Sequence, residues 1–254
     1  MTDLIIFGVA NNRYALKIEN IQRIIQCRNL TSIPNANEAM DGMMSYEDGV
    51  IKVLNFRKMI GIETYEEKLD VLFKRLKKAH AAWVDALKLS INTGSEFTKT
   101  TNPHMCELGK WIDDFRSYDD TVADTFRELV EYHKRLHIRG GEALEIYKSD
   151  KKRAKQIVDV EVNNIYNYTM GALDTFILDL DVVSNSFQKF LIYENGETTF
   201  AIKIDTIEDI AHIEESDVIT TEDSYEINEF LELEGVLDLN GVLVNLIKTI
   251  TIPR

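Results

Sequence analysis

The sequence predicts a multidomain α+β protein: a pair of small all-β barrels interrupted by an inserted antiparallel four-helix bundle. Three observations lead there. Alternating β-forming runs open and close the 254-residue chain, the middle switches to a helical period, and the two β portions resemble each other. The expected divisions are residues 1–61, 62–186 and 187–254.

Near the start, LIIFGV, a polar ANNR and YALKI read as a hairpin. From residue 65 to 184 the apolar residues recur at three- and four-residue steps. Leu69, Leu72, Leu76, Trp83, Leu87 and Ile91 form the first series, and a second runs through Val122, Phe126, Leu129, Leu136 and Leu144. This predicts long helices near 65–93, 119–148 and 151–184, with a short one beginning near Cys106. Strands return at FLIY and TTFAIKI. YALKIENIQRI (Tyr14–Ile24) matches FAIKIDTIEDI (Phe200–Ile210) in residue class, and GMMSYEDGVIKVLNF from Gly42 matches GVLDLNGVLVNLI from Gly235. Two such halves are expected to pack on one another, with the helices inserted in the loop that joins them.

Composition excludes several functions. Two cysteines make no disulfide framework, no apolar run approaches membrane-spanning length, and no hydrophobic signal region opens the chain, so a reducing cytoplasm is expected. A formal charge of −14 argues against nucleic acid and anionic membrane as partners. The acidity is concentrated: Asp and Glu outnumber Lys and Arg by 15 to 4 in residues 187–254, but stand at 6 to 7 in residues 1–61. The acid-rich run Glu214–Glu234 reads as a solvated face.

His80, His133 and His137 occupy the apolar seam of the helices. A single seam histidine is ordinarily a core residue bonded to a carbonyl. Three in one small bundle need partners for six nitrogens, and one metal ion would satisfy three of them. His133 and His137 are one helical turn apart, on one face. Cys106, at the start of the short helix, would add a thiolate whose pKa the helix amides lower. Three nitrogens and a sulfur favour Zn2+; the other reading of Cys106 is a small buried hydrophobe. Cys27 reads as a surface or edge residue, and His104 and His212 as solvent-facing.

Residues Ser32–Gly61 and the FAIKIDTIEDI and GVLDLNGVLVNLI stretches resemble the CheW family of chemotaxis adaptor domains. That resemblance implies a pair of five-stranded β-barrels, no enzymatic activity, and the histidine kinase CheA or chemoreceptor tips as partners. Glu47-Asp48 stands where the family usually has Arg-Gly, which reverses a charge at that turn. His80-Ala-Ala-Trp83, Cys106-Glu-Leu-Gly-Lys-Trp111 and His133-x-x-x-His137 resemble the chemoreceptor zinc-binding domain. It implies His80, Cys106, His133 and His137 as zinc ligands, and places Gly109 and Trp111 in its motif, the glycine permitting close helix approach and the tryptophan walling off the site. Together they imply a zinc or oxidant (hypochlorous acid) sensor coupled to signalling arrays, with a homodimer through the bundle as a further expectation. The alternatives are a purely structural zinc and a zinc hydrolase, the latter lacking a His-Glu-x-x-His pattern.

Overall fold

Strands form where the alternation predicts them, but the two β portions do not build separate sheets; they exchange strands. The computed structural model describes residues 1–116, 120–196, 198–219 and 226–252. The opening segment supplies β1 (Thr2–Val9), β2 (Asn12–Lys17), β3 (Ile21–Gln26), β4 (Met40–Tyr46), β5 (Gly49–Asn55) and the single-turn α1 (Phe56–Met59). The helices are α2 (Tyr65–Thr93), α3 (Glu107–Asp114), α4 (Asp120–Tyr147), α5 (Lys151–Gln156), α6 (Asn163–Leu178) and α7 (Leu180–Phe187). The closing segment adds β6 (Lys189–Asn195), β7 (Thr198–Ile204), β8 (Thr206–Ile213), β9 (Val218–Ile219), β10 (Glu226–Asn228), β11 (Leu231–Leu239) and β12 (Val242–Ile250). Two compact units result: Met1–Glu67 with Ser184–Arg254, and Lys68–Val183.

In the β unit one sheet runs β3-β6-β7-β5-β4, and the other β10-β11-β12-β2-β1-β8 with β9 paired to β11. The first hairpin of each repeat thus lies in one sheet with the third and later strands of the other. The exchange keeps register. Ile21 faces Tyr193 and Ile24 faces Leu191, as Ile207 faces Phe7 and Ile210 faces Ile5. Each pairing slips by one residue at the matching place, next to Gln22 and Glu208, and such a bulge bends a strand into its neighbour's sheet. The β4–β5 and β11–β12 hairpins match too: Gly42 faces Val53 and Gly235 faces Leu246. Both glycines are required by a crossing chain, since a Cβ at Gly42 would sit 2.6 Å from the Thr31 carbonyl oxygen and one at Gly235 2.8 Å from that of Ile219.

Both sheets share one core, where Phe7, Tyr14 and Phe56 stack within 5.7 Å of one another and against Leu54, Tyr193 and Phe200. Each sheet buries a smaller core on its other face. Leu4, Ile6, Leu237, Leu246 and Ile213 fill one; Phe190, Ile192, Met44, Val53 and Cys27 fill the other. Cys27 is therefore buried, not a surface residue, and takes the place that Ile213 holds in the other repeat. Burial pushes its thiol up to about 12, so it serves as a small hydrophobe.

The helical unit follows the predicted periodicity. Thr64 and Glu67 form a capping box at the start of α2, with N–H to side-chain distances of 3.2 and 2.7 Å. Leu69, Phe73, Leu76, His80, Trp83, Leu87 and Ile91 make its buried stripe. The single helix expected over 151–184 is divided. A π-helical stretch, Ile157–Val162, lies between α5 and α6, and Asp179, with φ −107° and ψ 33°, separates α6 from α7. Aspartate is a weak helix former, and the break falls on it. Residues 220–225 of the acid-rich run lie outside the described residues.

The duplication supplies an internal control for burial. Lys17 pairs with Glu234 at 3.2 Å and Lys203 with Asp41 at 3.6 Å, at matching positions of the two repeats. The Lys17 side chain is 31% exposed and that of Lys203 only 4%, because Glu66, in the first turn of α2, also reaches Lys203 at 3.2 Å. Burial opposes the Lys203 charge, but Glu66 and Asp41 outweigh it and hold the ammonium pKa above its ordinary value. Ser184 at the other root of the helices donates to Glu66 at 2.9 Å. Lys203→Ala removes the ammonium shared by Asp41 and Glu66, which keep Lys58, Asn55 and Ser184 as partners, and is expected to cost about 2 kcal/mol, and Lys17→Ala at most about 1 kcal/mol. Denaturant unfolding of the two variants checks the difference.

Candidate metal centre

His80 lies in the buried stripe of α2, and its Nδ1 meets the Leu76 carbonyl oxygen at 2.9 Å. That bond places the proton on Nδ1 and leaves the Nε2 lone pair free. His133 and His137 project from one face of α4 with ring centroids 4.8 Å apart. Cys106 arrives on a separate arm. The Asn102 side chain accepts from the His104 N–H at 3.0 Å and starts a single turn, Pro103–Met105, that delivers Cys106 to the N-cap of α3. There the sulfur accepts from the Gly109 N–H at 3.2 Å. A Cβ on Gly109 would fall 1.7 Å from the Pro103 carbonyl oxygen, so only glycine lets α3 close over this turn.

The four side chains converge. The Cys106 Sγ lies 3.1 Å from His133 Nε2 and 3.8 Å from His80 Nε2, and one donor atom from each of the four residues falls within 4.8 Å of all the others. His80, His133 and His137 are buried; Cys106 is only partly so. Among the described residues this is the one group of three or more potential ligands brought together in this way. His104 remains exposed and pairs with Asp113 at 3.0 Å; His212 does so with Asp3 at 2.6 Å.

The environment strongly disfavours charge on the imidazoles. Burial first, and the neighbouring histidines second, bring His133 down to about 3. Burial and His80 bring His137 down to about 4, the Thr100 carbonyl dipole opposing slightly. Burial lowers His80 as well, against the Leu76 carbonyl. His137 is the sharpest case, because both its ring nitrogens are buried without a hydrogen-bond partner; the Thr100 carbonyl accepts from Trp83 instead. Such orphaned atoms cost several kcal/mol in a closed apolar site, by rough estimate. The Cys106 thiol is also displaced upward: burial outweighs the Gly109 and Leu108 amides, which reverses the sequence expectation of a lowered value. Neutral imidazoles with free lone pairs beside one thiol are the donor set of a closed tetrahedral Zn2+ site. The metal's own charge would supply what the helix start does not, holding the sulfur as thiolate.

Trp111 stands in an aromatic cluster. It packs with Phe73, Phe115 and Phe176 at centroid distances of 5.1, 4.9 and 5.9 Å. The ring against the site is Trp83, 4.8 Å from His137. Its seat is provided by Gly140, where a Cβ would fall 2.3 Å from the indole. The sequence signal for Gly140 was the Gly140-Gly141 pair inside a helix, where glycine is disfavoured unless packing requires it.

Residues 3–84 match the family model of the CheW-like domain, and residues 65–144 match that of the chemoreceptor zinc-binding domain. No curated protein matches the sequence. Among solved structures, the chain is similar to the scaffolding protein TtCheW from Thermoanaerobacter tengcongensis, at 10% identity and a TM-score of 0.46, over 97% of this chain and 88% of that one. Residues 3–84 are thus similar to a CheW-like domain and residues 65–144 to a chemoreceptor zinc-binding domain, the two matches overlapping over residues 65–84.

Proposed function

We propose that this protein is a non-enzymatic, cytoplasmic sensory adaptor of bacterial chemotaxis. In this reading the inserted segment, residues 62–186, holds one Zn2+ through His80, Cys106, His133 and His137, and the β unit docks the kinase CheA or chemoreceptor tips. The observation that carries it is His137, buried with two unpaired nitrogens beside three further donors. A hydrolase is disfavoured because four protein ligands fill a tetrahedral shell and leave no position for substrate. Unlike faces on the two repeats suit an adaptor with two kinds of partner. Exposed Arg23 and Arg28 flank the half-exposed Ile24, while Asp209 and Glu214 stand at the matching positions around Ile210. Glu47 and Asp48 are exposed at the tip of the β4–β5 hairpin, where their charge would repel an acidic docking partner.

Cys106 is the sensing atom in this proposal. It is the least buried of the four ligands and is carried by α3, a helix of only 8 residues. Hypochlorous acid would transfer oxygen to the thiolate, giving sulfenic acid and chloride. A resolving disulfide is not at hand, since Cys27 belongs to the other compact unit and is buried in its core. Sulfenic acid is a poorer ligand, so the arm is released while the histidines keep their packing.

Purified protein should hold about one zinc per chain, and Cys106→Ala or His137→Ala should retain less after gel filtration, read by elemental analysis. Equal zinc in the variant lacking all four ligands would place the metal elsewhere. Acid should destabilise the metal-free helical unit. An unfolded histidine takes up its proton near about 6.5, whereas His137 and His133 resist until about 4 and about 3. Their contribution is therefore complete above the unfolded value and lost as pH falls through that window; thermal unfolding from pH 7.5 to 4 in chelator reads it. Oxidant should modify Cys106 of the zinc-loaded protein before methionines are damaged, and hydrogen exchange should quicken in α3. An identical exchange response from Cys106→Ser would exclude the redox reading in favour of zinc occupancy or a structural ion.

A further inference from the structure

Cys106 reaches the histidines on an arm that runs from Gly94 to Met105 without an α-helix. Ser95 of this arm accepts from the Ser90 hydroxyl at 2.6 Å, and two further contacts, nearer the cysteine, fall on one side chain. The Trp83 indole N–H donates to the Thr100 carbonyl at 2.8 Å, and Phe97 of the same arm meets the Trp83 ring edge-on at 5.5 Å. The same indole packs against His137, tilted by 53° at a centroid distance of 4.8 Å. Gly140 clears the α4 backbone for it, and Gly141 next to it receives the Thr101 side chain, 3.4 Å from where a Cβ would stand. From Thr100 a relay of short bonds continues to the sulfur. The Thr100 hydroxyl accepts from the Asn102 N–H at 3.1 Å, and the Asn102 side chain accepts from His104 at 3.0 Å. The Cys106 thiol then donates to the Pro103 carbonyl at 3.4 Å.

We infer that Trp83 is the positioning residue of the centre, holding the Thr100 carbonyl, and through it the Cys106 arm, against His137. This rests on the reading of Cys106 as a ligand. The indole provides two things at once: an apolar plate that fixes the His137 ring, and one N–H that fixes the arm. Phenylalanine would keep the plate and lose the tether. Because the tether acts at Thr100, outside the ligand shell, it also holds the arm near the site when the sulfur has let go.

The test uses the full-length protein in a Cys27→Ala background, with cobalt(II) as the probe metal. Compared with that background, Trp83→Phe should lose most of the sulfur-to-cobalt charge-transfer absorption while histidine-bound cobalt remains. Cobalt affinity should fall about tenfold, the lower end of the effect of removing a ligand's supporting contact, and labelling of the Cys106 thiol in metal-free protein should quicken by a similar factor. Unchanged charge-transfer absorption and an unchanged labelling rate in a folded Trp83→Phe would overturn the inference. So would a weaker affinity with the thiol unaffected, since that is loss of His137 packing alone. If circular dichroism shows Trp83→Phe unfolded, Gly140→Ala, whose Cβ displaces the indole, takes its place with the same criteria. Cys106→Ser separates the two levels: persisting charge-transfer absorption there removes the ligand reading and the inference with it. Its loss, with Trp83→Phe and Gly140→Ala silent, removes the positioning role only.

Discussion

Neither β repeat forms a sheet of its own, and the sharing of strands, in which the first hairpin of each joins the third and later strands of the other, is the constraint from which the rest of the β unit follows. A sheet missing its edge strand exposes unpaired amides and carbonyls, so neither repeat buries its backbone without the other. Strands on both sides of the helical insert must therefore lie side by side. That fixes the roots of the insert: Glu66 at the entry accepts from Ser184 at the exit and from Lys203 between them. An inserted unit whose ends meet can be accommodated without disturbing the exchange.

In the helical unit the organising problem is different. Three buried imidazoles occupy positions at which leucine or isoleucine would pack without cost in polar desolvation. His80 satisfies one nitrogen on its own helix, as an ordinary seam histidine does. His137 satisfies neither. The apolar surroundings that depress the histidine pKa values also keep their lone pairs available down to low pH, and they displace the Cys106 thiol upward. If the four are ligands as proposed, the same burial would prepare three of them and withhold the fourth until a cation arrives.

Much of this was legible in the sequence, because periodicity reports burial and burial governs both units. The seam positions of His80, His133 and His137, and the resemblance of Tyr14–Ile24 to Phe200–Ile210, were visible as pattern. The strand exchange was not, since alternation identifies a strand and its faces but carries nothing about which neighbour it pairs with. Cys27 was misread for a related reason: it follows a strand and precedes Arg-Asn, and only its match with Ile213 in a folded repeat reveals a core position. Trp111 and Trp83 both sit near ligands in sequence, and their different roles depend on the side from which α3 packs. The sign of the Cys106 shift required a balance between helix amides and desolvation, two terms that sequence places together without weighing.

The strand exchange also dictates an order of events during synthesis. A chain emerging from its N-terminus presents β1 to β5 first, yet β2 and β5 pair in parallel only with β12 and β7, which lie at the far end of the sequence. The helical unit, closed by Val183, has all its contacts available earlier. It can be complete while the opening strands still wait, their backbone edges unpaired, for β7 and β12. A helical unit folded first would bring the residues before Glu66 close to those after Ser184 and shorten the search that the rest of the chain must make.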